Sequence, residues 1–263
     1  MTREAWSSAE LYEPFIGRWS RLVAERLVAG LDPAPGLRWL DVGCGTGALT
    51  AAVLAGAEPA SVIGIDPSPA YVQSAAAQLT DPRVTLRVGE AADLPLPDAS
   101  VDRVACGLVL NFVPDAVAAV REMRRVLVQG GVATAHVWDY ADGMQMLRRF
   151  WDAAIAEDAA AAELDEGLRF PICRSGGLAD CFRTAGLPDI TSYEIDVPTT
   201  FRDFDDYWTP FLGGQGPGPG YCTGLPDAAR ERLRRRLVDT LPTEADGTIR
   251  LTARAWVVSA TRG

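Results

Sequence analysis

Apolar residues recur along the chain at two periods. Phe15, Trp19, Leu22, Val23 and Leu27 fall at helical spacing, which predicts an amphipathic helix before the break at Asp32-Pro33-Ala34-Pro35-Gly36. Short apolar runs then alternate with helical stretches. Strands are predicted over residues 37–42, 61–66, 84–88, 102–106 and 132–138. Helices are predicted over 48–54, from Ser68-Pro69 onward, and over 115–128, the last stopping at Gly130-Gly131. Strands alternating with helices are the signature of a parallel α/β sheet. After residue 138 the pattern changes to helices over 143–162 and 178–185, a strand over 190–197 and a last strand over 249–260. Residues 198–248 are too many for a hairpin turn. They carry an aromatic run, the Gly/Pro loop 213–220 and a charged helix over 227–241. They are expected, with 139–189, to form helical insertions on the substrate side.

The loop after the first strand concentrates the chemistry. Gly43, Gly45 and Gly47 follow an apolar strand carrying Asp41, in the order Asp41-Val42-Gly43-Cys44-Gly45-Thr46-Gly47. Glycines there permit positive φ and close approach of the backbone to a ligand. The spacing is G-x-G-x-G, with Ala48 where the dinucleotide fingerprint has its third glycine. An acid before the glycines suits a ligand bearing an ammonium group better than a pyrophosphate. Asp66 closes the second strand, the expected place for an acid that accepts ribose hydroxyls, with Pro67 and Ser68 framing the sugar. The competing reading is a helix cap, a role Ser68 already fills. Glu90 and Ala91 follow the third strand, where a carboxylate accepts an adenine amino group and the next amide reaches a ring nitrogen; Asp93 is the competing acid.

Composition narrows the partners. The chain has 263 residues, five cysteines and a formal net charge of −10. That length holds a single α/β domain without disulfide or metal staples. The negative charge argues against nucleic acid and against a polybasic membrane contact. Arg230, Arg232, Arg234, Arg235 and Arg236 cluster, but Asp227, Glu231 and Asp239 flank them, which fits a solvated helix face. The odd cysteine count without C-x-x-C pairs, the lack of an apolar signal-like stretch at the N-terminus and the lack of a membrane-length apolar run suggest a cytoplasmic protein, monomeric or homodimeric.

Taken together, Trp39 to Gly47, Gly64-Ile65-Asp66-Pro67-Ser68, Gly89-Glu90-Ala91 with Leu94-Pro95, Asp98 to Asp102, Arg124-Arg125-Val126-Leu127 and Gly130-Gly131 resemble the class I S-adenosylmethionine-dependent methyltransferases, in particular the small-molecule group that includes quinone-biosynthesis enzymes. The resemblance covers about residues 11–138. The family usually has aspartate at Glu90, and often histidine near Asn111 and proline at Gln129. The resemblance implies a Rossmann-like, doubly wound, seven-stranded sheet with its last strand antiparallel. Residues 1–36 would form an N-terminal helical cap and 37–138 the S-adenosylmethionine-binding half. It implies further cofactor contacts from Tyr12, Arg18, Cys44, Cys106 and Asn111, with Arg18 pairing the methionine carboxylate.

The expected activity is methyl transfer to a small organic acceptor at O, N or C, releasing S-adenosylhomocysteine. It would proceed by in-line displacement promoted by proximity and desolvation. The alternative is a protein of the same fold that binds the cofactor but runs another reaction or serves regulation. A general base is required only for some acceptors. His136, the only histidine, is a candidate by residue type, and Asp139 and Tyr140 are candidates by position past the fifth strand. Trp138, Trp208, Phe211 and Tyr221 are candidates for an apolar acceptor wall, with Gln215 in the flexible loop.

Overall fold

The five strands predicted in the first half pair in parallel in the computed structural model, which describes residues 13–214 and 216–263. The expectations for Tyr12 and Gln215 fall outside the described residues. Strands β1 (Arg38–Val42), β2 (Ser61–Asp66), β3 (Val84–Val88), β4 (Val101–Gly107), β5 (Leu127–Trp138), β6 (Ile190–Phe201) and β7 (Ile249–Thr261) form one sheet in the order β3-β2-β1-β4-β5-β7-β6. β7 runs antiparallel to both β5 and β6. The strand order reverses between β1 and β4, and in such sheets ligands bind at that switch point, outside the carboxyl ends of the strands.

Helices cover the sheet where the periodicity puts an apolar stripe inward. In chain order the helices are α1 (Arg18–Leu31), preceded by a π-helical turn at Glu13–Gly17, α2 (Ala48–Gly56), α3 (Pro69–Gln78), α4 (Ala116–Val126), α5 (Gln145–Glu157), followed by a single turn at Glu166–Arg169, α6 (Gly177–Thr184), α7 (Phe204–Trp208), α8 (Pro217–Gly224) and α9 (Asp227–Thr240). α8 and α9 pack on α5 rather than on the sheet. α4 shows the local logic. The Asp115 side chain accepts from the Ala118 amide at 2.8 Å, Ala119, Val120, Met123 and Val126 are buried, and Arg124 and Arg125 occupy the last turn.

Three boundaries differ from the periodicity. The helix expected over 143–162 ends at Glu157, because the Asp158 carboxylate takes the Ala160 amide at 3.0 Å and starts a separate 3-10 turn over Ala159–Leu164. β5 begins at Leu127 and carries Gly130-Gly131 inside it. Its pairing with β4 shifts register between Val101 and Arg103, and the irregularity is matched by Gly130 at φ +75°. β6 runs on through Pro198 to Phe201, paired with β7 throughout. Proline is tolerated there because β6 is an edge strand, with no second neighbour needing its missing N–H.

Residues 198–248 pack as a cap of core rather than as an open loop. Phe211 stacks on Phe150 of α5 at 4.2 Å and meets Phe15 edge-on at 5.4 Å. The Tyr207 hydroxyl donates to the Met146 carbonyl at 2.9 Å. The arginines of α9 are committed to carboxylates: Arg236 and Arg232 to Glu157 at 2.7 and 3.3 Å, Arg234 to Asp205, Arg235 to Glu231, and Arg230 to Asp227. Among the described residues no helix is long and apolar enough to cross a membrane.

Candidate functional site

A cleft of about 240 Å³ opens at the switch point. Its floor is the loop between β1 and α2. Gly43 and Cys44 donate their amides to the Ile65 carbonyl at 2.7 and 3.0 Å, which ties the loop to the end of β2. The turn is possible because Gly43, Gly45 and Gly47 have φ of +74°, +52° and +93°. A Cβ at Gly45 would meet no atom within 4 Å, and Gly45 lines the cleft, so a ligand can approach its bare backbone.

Asp66 stands opposite. Its Oδ1 accepts from the Ser68 amide at 2.8 Å and its Oδ2 from the Gly45 amide at 3.0 Å. Burial raises its pKa, and these two amide bonds oppose the rise. A carboxylate offers about four acceptor positions, so two bonds leave room for a pair of ligand hydroxyls. Ser68 also caps α3, accepting from the Tyr71 amide. Asp41 lies behind the loop, outside the lining. Its Oδ2 accepts from the Thr50 hydroxyl at 2.6 Å, and its Oδ1 is buried without a partner. Burial pushes its pKa up to about 7; the Thr50 hydrogen bond opposes this and the Asp66 charge adds to it. Among the described residues of the lining, Asp66 alone is formally charged. A cationic group is favoured beside Asp66, and Asp41 adds its charge only where the pH is high enough to ionise it.

The N-terminal segment forms the roof, with Ile16, Ser20 and Ala24 in the lining. It is fastened by Glu13, which accepts from the Thr46 hydroxyl at 2.9 Å and pairs with Arg21 at 2.6 Å. Arg18 is not in the lining. Its Nη1 bonds Asp206 at 3.1 Å and its guanidinium lies over Trp19 and Phe201.

The far wall comes from the ends of β4 and β5. Gly107, Leu108, Val109 and Phe112 follow β4, and His136, Trp138 and Tyr140 alternate along β5 and just beyond it. Leu108 has φ +61°, a left-handed conformation costing about 1–2 kcal/mol for a non-glycine residue. Its amide donates to the His136 carbonyl at 2.8 Å. The His136 side chain is 2% exposed, and burial lowers its pKa to about 4. Phe112 meets Phe170 edge-on at 5.5 Å, and Tyr140 lies 6.1 Å from the same ring.

The structure therefore gathers Gly43, Cys44, Gly45, Asp66, Pro67, Ser68, His136, Trp138 and Tyr140 around one cleft. Gly47 shapes the loop from outside the lining; a Cβ there would come 2.6 Å from Leu79. Glu90 is exposed and Ala91 buried beyond the Asp66 end, and the Glu90 charge is felt at Asp66. Asn111 has its Nδ2 buried without a partner, and Cys106 is fully buried; neither lines the cleft. Asp139 turns away: its Oδ1 accepts from the Asp142 amide at 3.1 Å, shaping the turn after β5. Trp208 and Phe211 belong to the cap's aromatic core. Sequence reasoning missed Glu13, Thr46, Tyr71, Leu108 and Phe112. None has a diagnostic spacing, and only the glycine motif around Thr46 hinted at its position.

A family model described as a methyltransferase domain matches residues 40–135. The nocamycin O-methyltransferase of Saccharothrix syringae is 30% identical over 203 residues, 72% of each chain. The trans-aconitate 2-methyltransferase of Methylobacterium radiotolerans is 34% identical over 166 residues, covering 60% of this chain and 62% of its own. Among solved structures, a Haemonchus contortus phosphoethanolamine N-methyltransferase 2 in complex with S-adenosyl-L-methionine superposes with a TM-score of 0.59 at 16% identity, covering 97% of this chain and 56% of that one.

Proposed function

The chain belongs to the class I S-adenosylmethionine-dependent methyltransferases of small molecules, and we propose that the cleft at the β1/β4 switch point is where it brings cofactor and acceptor together. The observation that carries the reading is Asp66, held by the Gly45 and Ser68 amides with acceptor capacity to spare. Asp66 would accept the ribose hydroxyls. Gly43, Cys44 and Gly45 would let the loop backbone approach the amino-acid end, with Asp41 behind them favouring its positive charge. Glu90 and Ala91, at the rim, would take the adenine edge.

S-adenosylmethionine, when bound, supplies a methyl group already activated on a sulfonium. The chain's own task is then to hold an acceptor in line and keep water out. Ile16, Ala24, Leu49 and Trp138 give the cleft an apolar lining suited to that. Asp139 takes no part in this reading, because its carboxylate serves the turn. All five cysteines are free and buried, which fits work in a reducing compartment.

The test is calorimetric titration with S-adenosylmethionine, S-adenosylhomocysteine and NAD, followed by a small-molecule panel read by S-adenosylhomocysteine release. Both sulfur ligands should bind and NAD should not. Asp66→Ala loses about 1–3 kcal/mol of cofactor affinity, a weakening of about 5- to 150-fold. Undiminished affinity in Asp66→Ala refutes the ribose assignment. Cofactor binding without S-adenosylhomocysteine release from any acceptor would favour another reaction on the same fold.

A smaller effect is expected at the roof. Glu13→Ala removes the acceptor for Thr46 and the partner of Arg21, and should lower stability by about 0.5–1.5 kcal/mol. Urea unfolding checks this, and no change would mean the roof is held by packing alone.

A further inference from the structure

The acceptor end of the cleft has an uncommon feature: a histidine buried with no charge beside it. His136 pairs in register with Gly107 across β4 and β5. A Cβ on Gly107 would come 2.7 Å from Cε1 and 3.2 Å from Nε2 of the ring, so the imidazole lies where any other residue's side chain would begin. Gly107 itself lines the cleft. The Cε1–Nε2 edge of His136 is therefore the edge brought to the cleft wall, while Nδ1 is buried without a partner. Leu108, held in a left-handed conformation, anchors its amide on the His136 carbonyl, so the two strand ends are fixed relative to each other.

The surroundings define what such a ring can do. Burial is the sole cause of its lowered pKa, and it stays uncharged at neutral pH. A base that weak makes a poor proton acceptor in the reaction but a good neutral hydrogen-bond partner. No lysine or arginine lines the cleft among the described residues, and Asp66 lies at its cofactor end. Trp138 and Phe112 supply flat apolar surface. A carboxylate or phosphate brought here would be desolvated without a counter-charge, which costs several kcal/mol.

We propose that His136 is the acceptor-binding residue, sharing a hydrogen bond at Nε2 with an uncharged hydroxyl or N–H group on a small molecule with a flat, apolar body. The inference rests on the methyltransferase reading above and adds the substrate class to it. It sets this chain apart from any relative whose acceptor is a polyanion. Gly107 is a positioning residue, because it leaves room for the ring.

His136 is the only histidine in the chain, so its ring nitrogens can be followed by nitrogen NMR without assignment ambiguity. The experiment uses the untagged protein with S-adenosylhomocysteine, and phenol and benzoate as neutral and anionic probes. Cofactor binding is measured first, so a failure of the methyltransferase reading appears there and not in the probe step. The ring should be neutral down to about pH 5, phenol should shift the Nε2 resonance, and benzoate should not. No Nε2 shift with phenol up to its solubility, or a larger shift with benzoate, overturns the proposal. With an acceptor found by S-adenosylhomocysteine release, His136→Leu should lower kcat/KM about 10- to 100-fold, mostly through KM, and leave cofactor affinity unchanged. His136→Gln, which keeps a hydrogen-bonding group, should recover part of the loss. At saturating cofactor the wild-type rate should show no inflection from about pH 6 to 8 that depends on His136. An inflection there that vanishes in His136→Gln would make His136 a proton-transferring base and reject the positioning role.

Discussion

Gly43→Ala should lower the thermal midpoint by about 5–15 °C and abolish measurable cofactor binding. Two costs add. Alanine at φ +74° pays about 1–2 kcal/mol for the left-handed backbone. The new Cβ would sit 2.7 Å from Cγ1 and 2.9 Å from Cβ of Val109, and relieving that overlap costs about 1–3 kcal/mol. Neither side yields easily. The Gly43 and Cys44 amides are both bonded to the Ile65 carbonyl, and Val109 follows Leu108, whose own backbone is in the left-handed region. In a domain of this size each kcal/mol lowers the midpoint by about 2–4 °C. Because the loop that moves is the cleft floor, binding fails along with stability. Gly130→Ala is the control: its φ is +75° and a Cβ there meets nothing within 4 Å, so it pays the backbone cost alone. Adding Val109→Ala to Gly43→Ala should bring its stability back to the level of Gly130→Ala. A Gly43→Ala protein as stable as that control and still binding S-adenosylmethionine in calorimetry would disprove the steric account.

Asp41→Asn and His136→Asn should change the pH dependence of stability in opposite directions. Asp41 is buried and its folded-state pKa is raised to about 7, so the folded chain keeps a proton that the unfolded chain releases near pH 4. That contribution to stability is fully present below about pH 4 and is lost as the pH rises through about 7. Its full span is about 4 kcal/mol. His136 has the reverse sign. Burial lowers its pKa to about 4, so below about pH 6.5 the unfolded chain takes up a proton that the folded chain refuses. Its contribution is present above about pH 6.5 and is lost as the pH falls through about 4, a span of about 3 kcal/mol. The two slopes largely cancel between pH 4 and 6.5 in the wild type. Subtracting wild-type urea-unfolding energies from those of each variant removes the other titrating groups. Asp41→Asn should gain stability relative to wild type as the pH rises from 4 to 7, up to several kcal/mol without cofactor. His136→Asn should gain relative to wild type as the pH falls from 6.5 to 4. Differences independent of pH would show that these groups are not held in the protonation states burial imposes. Above about pH 7, where Asp41 is ionised, Asp41→Asn should also bind S-adenosylmethionine more weakly than wild type, because it lacks the negative charge that favours the cofactor's cationic end.

The two halves of the chain were not equally legible. The glycine loop, Asp66 and Ser68 could be read because each role is set within a few residues by a turn, a strand end or a helix cap. The 198–248 segment was harder. Its aromatic run suggested a substrate wall, yet Phe211 spends its ring on Phe150 and Phe15, and no described residue of that segment lines the cleft. An aromatic residue carries the same periodic signal whether its neighbours are core or ligand. The end of β5 misled by proximity: Asp139 and Tyr140 are adjacent in sequence, but only Tyr140 reaches the cleft, since side chains alternate between faces.

The sequence by itself therefore determined the seven strands and the helices between β1 and β5, the glycine turn after β1 and the acid at the end of β2; it read 213–220 as a loop, where α8 begins at Pro217. Local hydrogen bonding and backbone torsions dictate these, and they are complete within short stretches. Only the tertiary structure decided that β7 inserts between β5 and β6, that Arg18 pairs with Asp206 away from the cleft, and that Glu13 clasps Thr46. It alone decided too that the His136 ring lies over Gly107. Each of these joins residues far apart in the chain. Which partner a long side chain finds is set by register and packing across the whole sheet, where burial and charge outweigh any preference the residue carries locally.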